Sequence, residues 1–203
     1  MRRVSVLLAL GLLFTFAGTA SALEVTETGS EELDLVSSTC GDVTLPECTY
    51  VLLTVVDAED ARGSEVCLQI LTGQPLDETT FLVLAMETGC AAIDPADLTF
   101  GDRLSSATLA GTSIDLTYCD NTVDPPACEP SRTVIVTATA LATSPQGRFA
   151  QAFPIATPEG CREVIRVMLT ARAATGEFSV DGTTYGGTGT ILTGTRTEMT
   201  VAC

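Results

Sequence analysis

IDLTYCDNTVDPPACEPSRTVIVTATAL, residues 114–141, carries three signals in succession. Ile114, Leu116 and Tyr118 alternate with Asp115 and Thr117, the two-residue period of a strand with one buried face. A short loop bounded by Cys119 and Cys128 follows. Beyond it Val134, Val136, Ala138, Ala140 and Ala142 share one face, and Thr133, Ile135, Thr137 and Thr139 the other. The small side chains on the first face predict a neighbouring layer that comes close. The same order of parts occurs about eighty residues earlier: Leu33 and Leu35, then Cys40, a short acidic loop containing Pro46, Cys48, and the apolar run Tyr50 to Val56. The repetition predicts a duplicated, stapled β unit.

Working outward, Tyr50 to Val56 is apolar at almost every position and reads as a strand buried on both sides. Val66, Leu68 and Ile70 alternate with Glu65, Cys67 and Gln69 as a half-buried strand. Phe81 to Met86 is the next strand, and Cys90 lies just past it, in reach of Cys67 if the two form a hairpin. Ser144-Pro145-Gln146-Gly147 predicts a turn, with Phe149 and Phe153 in a short return strand. Between Cys161 and Ala173 helical and strand periods compete; strand is preferred, because the run is β-branched and its surroundings are strands. Asp181-Gly182 predicts a hairpin turn, in which glycine accepts a positive φ. Gly186-Gly187-Thr188-Gly189 predicts a flexible or bulged bend. Thr195 to Ala202 alternates as the closing strand.

The fold class expected is all-β and sandwich-like, built from two similar units, in tandem or merged into one sandwich or barrel. Their bounds are residues 33–104 and 105–203. Residues 1–22, with Arg2, Arg3, an apolar run from Val4 to Ala17 and Ala20-Ser21-Ala22, form an export signal cleaved before Leu23. Residues 23–32, acidic, Thr-rich and without a period, are expected as a mobile lead-in. No cysteine stands where a lipid would be attached, so the mature chain is expected outside the cell and off the membrane.

Eight cysteines in an exported chain predict four disulfides. The pairs expected are Cys40 with Cys48, Cys67 with Cys90, Cys119 with Cys128, and Cys161 with Cys203. Zinc is disfavoured, since no Cys-x-x-Cys pair and no histidine are present. The formal net charge is −16 and every basic residue is arginine. Such a surface repels phosphate backbones and anionic headgroups, which argues against nucleic acid and membrane as partners.

The missing residue types restrict the chemistry further. With no histidine there is no Ser-His-Asp or Cys-His device and no imidazole base. With no lysine there is no Schiff base or Ser-Lys pair. Gly101-Asp102-Arg103-Leu104-Ser105 superficially matches a Gly-Asp-Ser-Leu hydrolase block, but Arg103 displaces the serine and the partner histidine does not exist; it reads as a turn into a strand. Carboxylate pairs of the glycosidase kind remain open among 26 acidic residues. Two acidic turns, Asp57, Glu59, Asp60 and Glu65, and Asp94, Asp97 and Asp102, offer hard oxygens for calcium without the spacing of a recognised loop. Arg162, Arg166 and Arg172 form a row that either binds an acidic partner or balances nearby carboxylates.

The order of parts (signal, strand, Cys loop, Val66-Cys67, Glu87 to Cys90, a long alternating strand, Val180 to Thr183, and the terminal Cys203) resembles a loose group of uncharacterised exported bacterial proteins, mostly from GC-rich genomes. That resemblance spans nearly the whole mature chain and implies no activity, cofactor or catalytic residue. The expectation is a secreted, non-enzymatic structural or binding module whose partner is an unidentified extracellular protein or envelope component. No catalytic, cofactor or metal residue is assigned. The alternatives are a carboxylate-dependent glycan hydrolase and a calcium-stabilised surface protein.

Overall fold

A computed structural model describes residues 23–40, 46–59, 63–76, 80–156 and 162–201. The signal segment and the proposed Cys161–Cys203 bridge lie outside the described residues. Ten strands run antiparallel: β1 (Leu23–Ser38), β2 (Cys48–Ala58), β3 (Ser64–Pro75), β4 (Phe81–Ala92), β5 (Leu98–Phe100), β6 (Ser106–Asp120), β7 (Ala127–Ala142), β8 (Gly147–Ala156), β9 (Arg162–Val180) and β10 (Thr183–Val201).

Pairing follows β1-β2-β3-β4-β6-β7-β9-β10 and returns from β10 to β1, so eight strands close into a barrel. Of the arrangements left open by the sequence, this is the merged one: a single apolar cluster draws Leu33, Leu53 and Leu68 from the first half and Ile114, Val136 and Phe178 from the second. Closure removes the exposed edges that two separate small sheets would each present. β1 and β2 with the Cys40–Cys48 loop correspond in order to β6 and β7 with the Cys119–Cys128 loop, and β3–β4 corresponds to β9–β10.

Alternation predicts the interior well where one face is apolar. Val134, Val136, Ala138 and Ala140 are buried while their odd-numbered neighbours are exposed. The alanines are small because β9 presses against them: a methyl on Gly176 would run into the Thr139 carbonyl and Ala140, and Phe178 lies opposite Ala138 in the ladder. The Phe178 and Tyr185 rings stack at 5.4 Å. The segment between β4 and β6 adds Ile93, Leu98 and Leu104 to the core.

Four expectations change. Residues 23–32 are strand, because β10 supplies backbone partners from Leu23↔Val201 to Glu32↔Leu192 that local sequence does not reveal. Within Tyr50 to Val56 only Val51, Leu53 and Val55 are buried; the other face is half-buried because, among the described residues, no second layer covers it. β8 is not a return strand. Both β7 and β8 run antiparallel to β9, β7 along Ala174 to Val180 and β8 along Arg162 to Ala171, so the chain kinks at residues 143–146 and continues in one direction. The 186–189 glycines are regular strand: a side chain on Gly189 would collide with the Asp34 carbonyl, so glycine serves close strand approach there. The strand preferred for 161–173 holds from Arg162. Finally, the turn at Asp102–Leu104 has two consecutive non-glycine residues with positive φ, Arg103 at 54° and Leu104 at 58°.

Candidate functional site

One end of the barrel is unequal. β2 ends at Ala58, opposite Ser30, while β1 and β10 continue together to Leu23 and Val201. β8, the first part of β9, the last part of β10 and the start of β1 therefore extend past the closed ring as a four-stranded apron. Its inward face continues the interior parity of Leu33 and Ile191, and the row next to the core turns polar, while Met168 and Val164 keep the same parity farther out.

The registers place one row of residues across this apron: Arg148 on β8 faces Thr170 on β9, Thr170 faces Thr193 on β10, Thr193 faces Glu31 on β1, and Glu31 faces Asp57 on β2. The next row toward the core holds Arg172, Ile191, Leu33 and Val55. Four residues farther out, beyond Met168, Thr195 and Gly29, Arg166 faces Thr197 and Thr197 faces Glu27. Arginine thus occupies the β8–β9 side and carboxylate the β1 side, with hydroxyls between.

A cavity of about 520 Å³ opens over this row, lined by Glu31, Arg103, Leu104, Gln146, Arg148, Thr170 and Thr193. That volume is within the range of small-molecule sites. Arg103 joins the lining from the strained turn. Its carbonyl accepts Gln146 Nε2 at 2.9 Å and Arg172 Nη1 at 3.3 Å. Arg172 Nε also donates to the Ser144 carbonyl at 2.8 Å, and Ser144 Oγ accepts from the Ala173 amide at 2.8 Å. Buried Leu104 anchors the turn from below. Left-handed backbone at non-glycine residues costs about 1–3 kcal/mol each and persists only when surroundings hold it; here the kink between β7 and β8 does so.

Burial pushes the Glu31 carboxyl above its ordinary value, and the charge of Asp57 opposite adds to the rise. Asp57 itself accepts a hydrogen bond from Ser64 Oγ at 2.7 Å. Thr193 Oγ1 donates to the Ser30 carbonyl at 3.0 Å, leaving its lone pairs to the cavity. Among the described residues Arg103, Arg148 and Glu31 form no ion pair with one another or with any other group.

The residues singled out from sequence are distributed differently. Three disulfides form as expected: Cys40–Cys48, Cys67–Cys90 and Cys119–Cys128, with Cα separations of 5.0, 4.1 and 4.1 Å. The acidic turns are used locally. Glu59 Oε2 accepts the Gly29 amide, Asp94 caps the short turn at Pro95–Asp97, and Asp60 lies outside the described residues. Among the described residues the one group of three ligand-type atoms is Glu65 with Cys67 and Cys90, whose sulfurs are bonded to each other. Arg166 and Arg172 share the inward face of β9, and the Arg162 side chain lies outside the described residues. Glu31, Gln146, Arg148, Thr170 and Thr193 were not foreseen. The signal in the sequence was the shared parity of Arg166, Thr170 and Arg172 with the buried Ala174 and Phe178.

Fold and site together define a disulfide-stapled antiparallel β-barrel with one open, charged end. No protein-family model matches the chain, and comparisons with curated proteins and with solved structures find no match either.

Proposed function

We propose that the protein is an exported binding module that takes its ligand in the open end of the barrel. The observation that carries this reading is the contrast along one inward face: packed apolar side chains up to Leu33 and Ile191, then a cavity of about 520 Å³ in which Glu31, Arg148, Thr170 and Thr193 stand on paired strands. Groups held on a rigid scaffold lose little freedom when a ligand arrives. Export is supported by the leader-like residues 1–22 and by three disulfides, which persist in oxidising compartments. A non-catalytic role is supported by the absence of histidine and lysine from the chain.

The test is amide chemical-shift mapping of the mature protein against a library of saccharides, peptides and small metabolites. Binding at the mouth shifts Arg148, Thr170 and Thr193 first. Ligands that shift only residues on the outer face or at the disulfide loops would refute the placement.

A second reading, carboxylate-dependent hydrolysis of a glycan, is favoured by one observation: the raised carboxyl of Glu31 opposite Asp57, an acid and a base candidate side by side. Turnover of any glycan that disappears in Glu31→Gln would establish it and displace the binding-only reading.

A further inference from the structure

The mouth separates its charges. Arg148 and Glu31 stand at the two ends of one row, three strand spacings apart, which is about 14 Å from backbone to backbone. Arg103 also lines the cavity, its backbone held by Gln146 and Arg172 on the β8–β9 side, and Glu31 is backed by Asp57 and followed by Glu27 on the negative end. The floor between them is Thr170 and Thr193. Arg103 and Arg148 are exposed and Glu31 is half-buried, and among the described residues none of the three forms an ion pair, so their charged atoms are open to a ligand.

Resting on the reading that this mouth is the binding site, we propose that its ligand is a short zwitterionic peptide, with the carboxylate at Arg103 and Arg148 and the amine at Glu31. Two arguments select that class. An extended chain covers about 3.3–3.6 Å per residue, so three to four residues span about 10–14 Å. The chain carries a net charge of −16, which repels polyanions at long range, whereas a ligand without net charge meets no such barrier and gains from both ends of the mouth. A neutral ligand would leave both charges without a counter-ion, and an anion would leave Glu31 facing like charge. Guanidinium forks match a terminal carboxylate in a bidentate manner. Main-chain amides of the peptide fall over the threonine hydroxyls.

The experiment is calorimetric titration of the full mature chain with tetra-alanine in four forms: both termini free, N-acetylated, C-amidated, and blocked at both ends. The free form should bind best, with each single block weakening it about tenfold. Glu31→Gln should abolish the penalty for acetylation while keeping that for amidation, and Arg148→Gln should do the reverse. Equal binding of the free and doubly blocked forms, penalties that persist in both variants, or no binding of any form would overturn the proposal. If the peptides fail while another library ligand shifts Thr170 and Thr193, the peptide class falls and the mouth stands; if nothing shifts those amides, both fall. Circular dichroism of each variant separates lost binding from lost fold.

Discussion

Glu31 on β1 and Asp57 on β2 are direct cross-strand partners on the inward face of the rim, two carboxylates side by side. Like charges directly opposite one another weaken a strand pair. Here the pair marks where the barrel stops being a core and becomes a mouth, since the preceding inward pair, Leu33 and Val55, is fully buried.

The rim pair predicts a pH signature. Because burial, helped by Asp57, raises the folded-state pKa of Glu31 above 4.5, the folded protein takes up this proton more readily than the unfolded chain. Its contribution to stability therefore grows as pH falls through the raised value and is lost as pH rises past it. Glu31→Gln should be more stable than wild type near neutrality, and the gap should narrow toward pH 4.5. Denaturant midpoints measured between pH 4.5 and 7.5 check this; parallel profiles would contradict it.

Glu87 predicts the opposite slope. Burial acts to raise its carboxyl, but hydrogen bonds from Ser131 (2.6 Å) and Arg132 (2.9 Å), with the guanidinium charge, hold it below the usual value. Stability from this group is present above its unfolded pKa and lost as pH falls through the depressed folded one. Arg132 is half exposed, so screening limits the effect. Glu87→Gln should cost about 0.5–1.5 kcal/mol at pH 7 and nothing in strong acid, as read from urea unfolding at pH 7 and 2.5.

Opening the staples should cost stability in proportion to loop length. Replacing Cys119 and Cys128 by alanine should lose about 2.5 kcal/mol, and replacing Cys67 and Cys90 about 3.5 kcal/mol, on chain-entropy grounds. Equal losses for the two pairs, measured by guanidinium unfolding under non-reducing conditions, would argue that native-state packing outweighs the closure term.

Two glycines of β10 should respond differently to one methyl group. Gly189→Ala meets the Asp34 backbone and should destabilise by about 1–3 kcal/mol or more, as overpacking does. Gly186 has open space where its side chain would be, so Gly186→Ala should be neutral or slightly stabilising, within about 1 kcal/mol. Thermal melts of the two variants decide it.

The pattern of β7, and of Ile114 and Leu116 in β6, was readable because a two-residue period is a local property, but Tyr118 was misplaced: the ladder shifts register between Asp115 and Thr117, so Tyr118 is exposed and Cys119 takes the buried side. The Asp181-Gly182 turn was readable for the same reason, and both residues adopt positive φ, 49° and 79°. The Cys67–Cys90 pairing needed one further assumption, that consecutive strands form a hairpin, and the ladder places the two opposite each other. The N-terminal strand was not readable, since its polar, aperiodic residues are ordered by hydrogen bonds to β10, more than 150 positions away. The glycines at 186–189 misled because flexibility and close packing call for the same residue. The left-handed Arg103 was equally hidden, because its conformation is imposed by Gln146 and Arg172.

From composition and alternation alone came an all-β body, its staples, and a chemistry without imidazole or amine. Closure of the sheet and the gathering of Arg148, Thr170, Thr193 and Glu31 into one row came only with the three-dimensional arrangement. The reason is physical: a strand's period states which residues share a face, while its register against distant partners, set by the summed fit of many side chains and hydrogen bonds, states which faces meet.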